Sequence, residues 1–264
     1  MKKTLSIALS LLMIVSLFAC MTVSAFAEDE SEIAQVKESG KLVVGITDFE
    51  PMDYKGPDGS WIGFDADLAT AFADALGVDV EFVEIDWDNK ILELNNKSID
   101  CIWNGMTLTD EVMAAADCSN PYMRNAQVVV VKADVAEEFE SIEDMADLVF
   151  AVEAGSAGEA AVEELGYEAT PVQTQAQALL EVNAGTSDAA VIDLLMAVAM
   201  TDEGTDYANL TYTFSLNEEE YGVAMRQDSD LVDALNAFFA FSYVAGNMDE
   251  LAEEYGLTGS VIAQ

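Results

Sequence analysis

The sequence predicts an α/β protein of two halves, each a mostly parallel sheet flanked by helices. Three observations carry that expectation. Between Lys41 and Tyr122, apolar strand runs alternate with helical periods in the order strand, turn, helix, strand, helix, strand. The same alternation restarts after Lys132. Apolar residues make up 52% of the 264, enough to fill more than one core. The pattern alone does not say which half the last strand joins.

The elements follow in order. Met1-Lys2-Lys3 and the 16-residue apolar run Thr4–Ala19 read as a secretory signal, too short for a membrane span. Ala25-Phe26-Ala27 before Glu28 fits ordinary signal peptidase. Leu17-Phe18-Ala19-Cys20 resembles a lipobox, which would place a lipid anchor on Cys20. The residues after Cys20 are apolar rather than a polar tether, which favours a signal peptide of residues 1–27. Both readings export the chain. A polar lead-in and short helix cover 28–39, and Leu42–Ile46 is the first core strand. Lys55-Gly56-Pro57-Asp58-Gly59 is a turn. Asp65–Leu76 is a helix with Leu68, Phe72 and Leu76 on one face, stopped at Gly77. Val80–Ile85 is a strand, Asn89–Asn96 a short helix, and Ile99–Trp103 a strand with Trp103 in the core. Ala126–Val131 is an unbroken apolar strand. In the second half, Leu148–Val152 and Ala189–Ile192 read as strands. Gly155-Ser156-Ala157-Gly158 opens the helix Glu159–Leu165, Gln175–Asn183 is a helix stopped at Gly185, and Asp193–Met200 is another. Tyr221–Met225 is a strand. Asp230–Ala245 is a long helix with Leu231, Leu235, Phe238 and Ser242 on one face, and Met248–Tyr255 ends the pattern.

Charge excludes some partners. All 50 acidic residues lie at or after Glu28, so losing Lys2 and Lys3 leaves eight basic residues and a net charge of −42. Such a field repels nucleic acid and anionic membrane surfaces. The chain has no histidine, which argues against zinc or haem sites and histidine acid–base chemistry; no cofactor is expected. Cys101 and Cys118 sit on two short strands that an intervening helix could bring side by side. In an oxidising compartment they are a candidate disulfide, the alternative being two buried thiols.

Trp61-Ile62-Gly63-Phe64-Asp65-Ala66-Asp67-Leu68 and Trp103-Asn104-Gly105-Met106-Thr107-Leu108-Thr109-Asp110-Glu111 carry a resemblance. From about Gly40 onward the chain resembles the family 3 solute-binding proteins of polar amino-acid ABC transporters, which have a type II periplasmic binding fold. Ala66 departs from the larger aliphatic usual there. The resemblance implies a discontinuous first lobe, 28–126 plus 220–264, and a second lobe, 132–214. Crossings near 126–131 and 215–221 would form a hinge beside a cleft. It implies a monomer with no catalytic activity, at the periplasm or cell surface. The monomer would close on one small amino acid and present it to an ABC permease. A sensing module for a membrane receptor, or a dehydratase-like enzyme on the same fold, are the alternatives.

The resemblance also implies a site. Phe49 and Trp87 match two aromatics that wall the ligand. Asn104, Gly105 and Thr107 match the loop that meets its head group. Ser156 and Ala157 match the loop that binds its carboxylate at a helix start. Asp193 matches the carboxylate that holds its ammonium. The family's carboxylate-binding arginine falls at Val112 here, and Arg124 is the substitute expected for it.

Overall fold

The computed structural model describes residues 31–264, so the export signal, its cleavage readings and Cys20 lie outside the described residues. Helix α1 (Glu32–Ser39) leads into β1 (Lys41–Ile46). The hairpin β2 (Tyr54–Lys55) and β3 (Trp61–Ile62) encloses the predicted turn, and α2 (Phe64–Leu76) follows. α2 buries Leu68, Phe72 and Leu76 and stops at Gly77, as the spacing predicts. Next come β4 (Asp79–Glu84), a 3-10 turn (Trp87–Asn89), α3 (Lys90–Asn95), β5 (Cys101–Thr107), α4 (Asp110–Ala115), β6 (Asp117–Cys118) and β7 (Met123–Asn125). The chain then builds β8 (Gln127–Lys132), β9 (Val149–Glu153), α5 (Ala157–Leu165), β10 (Glu168–Val172), α6 (Gln175–Ala184), β11 (Ala189–Asp193), α7 (Leu194–Thr201) and β12 (Leu210–Ser215). It ends with β13 (Glu219–Met225), α8 (Leu231–Val244) and α9 (Asn247–Glu254).

Two mixed sheets result. The first runs β4-β1-β5-β13-β6, with β7 also on β13; β4, β1 and β5 are parallel and β13 is antiparallel to its neighbours. The second runs β10-β9-β11-β8-β12; β10, β9 and β11 are parallel and β8 is antiparallel to both its neighbours. The antiparallel members β8 and β13 are the strands that follow the two crossings. β7 ends at Asn125 in the first sheet and β8 begins at Gln127 in the second, so one crossing is Ala126 alone. The other lies between Ser215 and Glu219. The first is narrower than the stretch 126–131 expected for it, because 127–132 is paired on both sides. Two edge strands, β10 and β12, have no counterpart in the sequence reading. β10 carries Pro171, which central strands do not tolerate.

The expected disulfide is absent: Cys101 and Cys118 are both free thiols. The helix between them does not set their strands side by side, because β13 inserts between β5 and β6. Met225 pairs with Cys101 and Ala224 with Cys118. Two strand spacings are roughly 9–10 Å, beyond the ~7 Å limit on Cα separation for a bridge.

The first lobe packs around aromatics. Phe72 and Phe238 lie 5.4 Å apart and Trp103 meets Phe239 at 5.5 Å, all fully buried, with Trp103 in the core as expected. Burying each such ring contributes about 1.5–3 kcal/mol. The second lobe packs Val129, Val131, Phe150, Val152, Val162 and Val191 between sheet and helices. Among the described residues no helix is long and apolar enough to cross a membrane.

Candidate functional site

In both lobes the carboxyl ends of the parallel strands face a shared cavity of about 330 Å³. Ligands gather at such strand ends because the loops there converge and leave a crevice. The first lobe contributes Phe49, Trp87, Lys90, Asn104, Gly105, Thr107 and Val112; the second contributes Gln127, Glu153, Ser156, Ala157, Gln175 and Asp193.

Asp193 ends β11 and is 4% exposed. Its carboxylate accepts from the Tyr221 hydroxyl (2.6 Å) and Gln127 Nε2 (3.2 Å), and from the side-chain amides of Asn125 and Gln175. Its own N–H donates to Gln175 Oε1 at 2.8 Å. Every side-chain donor is neutral, so the negative charge has no cationic partner. Burial first, and Glu219 second, push its pKa well up. Glu219 in turn accepts from Thr107 Oγ1 (2.9 Å), Asn125 Nδ2 (2.7 Å) and Gln127 Nε2 (2.8 Å). This network spans both crossings.

Glu153 ends β9, the parallel neighbour of β11, and is only 2% exposed. Its Oε1 has no hydrogen-bond partner. Burial pushes its pKa up to about 8, opposed by Lys90 and Gln175. Lys90 is the cation among the cavity-lining residues, facing Asp88, Glu111, Glu153, Glu159, Glu163 and Asp193. Its Nζ donates across the cleft to the Gly155 carbonyl (2.8 Å), donates to the Trp87 carbonyl (3.3 Å), and lies 4.9 Å from the Trp87 ring centre. Burial lowers its pKa against the pull of these acids. A Cβ on Gly155, whose φ is +70°, would come within 2.7 Å of Asp88 Cα, so the two lobes are in close contact here.

The other expected site residues divide by what their atoms already do. Phe49 and Trp87 wall the cavity, and the Phe49 ring stands edge-on to Tyr221 at 6.4 Å. The Asn104 side chain is fully engaged within its own lobe. Oδ1 accepts from Thr47 N (2.8 Å) and Oγ1 (2.7 Å), and Nδ2 donates to Thr47 O (3.1 Å) and Asp53 Oδ2 (2.7 Å). Asn104 thus fixes the loop that carries Phe49. The Gly105 N–H donates to Asp65 Oδ2 at 2.6 Å. Ser156 caps α5, its Oγ accepting from Glu159 N at 3.1 Å, which leaves the hydroxyl proton available.

Arg124 is a correction. It is exposed and lines a separate depression with Leu108, Asn125, Leu194 and Glu218. Alternation along β7 buries Met123 and Asn125 and turns Arg124 outward, so Asn125 is the residue that meets Asp193. The other arginine, Arg226, is bound to Glu32 and Asp100. Buried Val112 lines the cavity where the expected clamp would stand. Glu153, Lys90, Gln127, Gln175 and Tyr221 were not read as site residues from the sequence. Glu153 carried a usable signal, since it closes an apolar strand just as Asp193 does.

A cavity of this kind, walled by two lobes joined by two short crossings, defines a two-lobed solute-binding protein. The chain belongs to the bacterial extracellular solute-binding proteins, family 3, whose family model matches residues 42–258. These are the binding proteins of polar amino-acid ABC transporters. The chain is 29% identical over 257 residues to the L-cystine-binding protein TcyJ of Escherichia coli strain K12, covering 94% of each chain. It superposes on a mutant of ArgBP from T. maritima with a TM-score of 0.80 and 32% identity, over 85% of this chain and 98% of that one. A histidine-bound substrate-binding protein of Streptococcus pneumoniae matches with a TM-score of 0.79 and 31% identity, over 86% and 96%. Most relatives are binding proteins, although a cyclohexadienyl dehydratase of Pseudomonas aeruginosa matches over half of this chain.

Proposed function

We propose that this chain captures a small amino acid, neutral polar or cationic, between its lobes and delivers it to an ABC permease without chemical change. The observation that carries this reading is Asp193: a buried carboxylate at a strand end in the interlobe cavity, served by neutral donors alone. The ligand ammonium supplies the missing charge. Phe49 and Trp87 flank the ligand. The Ser156–Ala157 start of α5 holds its carboxylate. Lys90 is engaged by two carbonyls, and Val112 is apolar. Glutamate and aspartate would add a further carboxylate to a cavity already lined by six, and they are expected to bind worst.

Calorimetry of the exported form with the twenty amino acids tests this. Truncating one member of a buried charge pair costs about 2–5 kcal/mol, so Asp193→Asn should weaken the best ligand by about tenfold or more with the fold retained. Glutamate binding more tightly than every neutral and basic amino acid would refute the ligand class. Unchanged affinity in Asp193→Asn would refute the ammonium site.

A further inference from the structure

We propose that Glu153 is a second cation anchor beside Asp193, so that the cavity takes a dication whose α-carboxylate contributes little to affinity. This rests on the reading of the interlobe cavity as the ligand site and adds the ligand's charge pattern to it.

The argument begins with an unmet demand. Glu153 is 2% exposed and its Oε1 has no partner. A buried carboxylate oxygen left without a donor is costly unless a ligand completes it. Lys90 is the cation in reach, but its ammonium already donates to two carbonyls and holds the lobes together. Asp193 has several donors and none is charged. β9 and β11 are parallel neighbours, so these two strand-end carboxylates open into the same cavity from the same lobe. Two ligand cations would complete both.

The opposite demand is weak. A ligand carboxylate would meet Val112, the neutral Thr107 hydroxyl and the start of α5. The Thr107 hydroxyl already donates to Glu219, and at α5 the Glu159 carboxylate already accepts from Gly155 N. A carboxylate there gains neutral hydrogen bonds and faces Glu111, Glu159 and Glu163. The strong contacts are therefore with the ligand's positive groups.

The test compares matched pairs on the intact exported protein by calorimetry: L-lysine against cadaverine, and L-arginine against agmatine. Each amine is the amino acid without its carboxylate. At least one amine is expected to bind within about tenfold of its parent. Glu153→Gln should weaken that amine and its parent by about tenfold or more and change L-glutamine binding less. Because this comparison uses the unmutated protein, it stands even where the variant does not fold. Both amines falling more than tenfold below their parents would overturn the inference. So would Glu153→Gln weakening dications and glutamine equally, or binding confined to neutral amino acids; in each of these cases the amino-acid reading survives. Binding of nothing in the panel would overturn both readings.

Discussion

Asn104 and Gly105 line the cavity, and the Asn104 side chain and the Gly105 N–H are engaged by the protein itself. Asn104 uses all of its side-chain groups to fix Thr47 and Asp53, and Gly105 makes room. At φ +53°, a Cβ on Gly105 would come within 2.5 Å of Phe49 Cε1 and 3.1 Å of Tyr221 Cε2. Gly105→Ala therefore combines backbone strain with a clash against two rings and should cost about 1–3 kcal/mol of stability. It should also weaken ligand binding by displacing Phe49. Urea unfolding with calorimetry checks both, and a variant of native stability and affinity would show that the loop yields freely. At this scale the sequence was informative where a residue's type and strand position sufficed. Asp193 follows an apolar strand, Phe49 and Trp87 are aromatics beside strand ends, and all three line the cavity. Arg124 failed because its side depends on the alternation of the three-residue strand β7, which no short run of polar residues displays. Tyr221 reaches Asp193 only through the pairing of distant segments, which a local pattern cannot reveal.

Among the elements, β13 decides most. It returns from the second lobe, inserts between β5 and β6, and brings Tyr221 to Asp193. The apolar run Tyr221–Met225 was legible as a strand, but its insertion was not, so the cysteines were read as possible neighbours. Held one strand apart, they should stay reduced. Burial pushes the Cys101 thiol well up, and pushes Cys118 up to about 11 with Asp117 adding to it, so both are protonated thiols near neutral pH. Protein beginning at Glu28, denatured without reductant and alkylated, should gain two labels by mass spectrometry. A species with no label would mean that β13 does not separate the pair in solution. Element boundaries elsewhere followed from local signals: Ser156 begins α5, and Gly77 and Gly185 end α2 and α6. The edge strands β10 and β12 were missed because their faces are half exposed and their apolar content is low.

The whole molecule concentrates negative charge and also buries carboxylates in both lobes. Asp53 and Asp65 lie under the Phe49 loop, with Asp65 pushed up to about 7 by burial and Asp53 pushed well up by burial and by Asp65. In the cavity Glu153 is pushed up to about 8, facing Lys90, Asp88, Glu111, Glu159, Glu163 and Asp193. Asp53, Asp65, Glu153 and Asp193 each have a folded pKa above the unfolded one. Folding therefore retains protons that the unfolded chain releases, and stability falls as pH rises from about 4.5 through the folded values. The window runs from about pH 4 to about 7 for Asp65 and from about pH 4.5 to about 8 for Glu153. The formal net charge of −40 repels itself more fully as these groups ionise, in the same direction. The ligand-free protein should melt several degrees lower (~5 °C) at pH 8.5 than at pH 5.5, and Glu153→Gln should flatten part of that slope. A cation in the cavity favours the ionised acids, so the melting-point rise caused by a bound ligand should be larger at pH 8.5 than at pH 5.5. Scanning calorimetry at both values, with and without ligand, checks the sign. A melting point that rises with pH, or a ligand effect that shrinks, would mean that the cavity acids are already ionised in the empty protein.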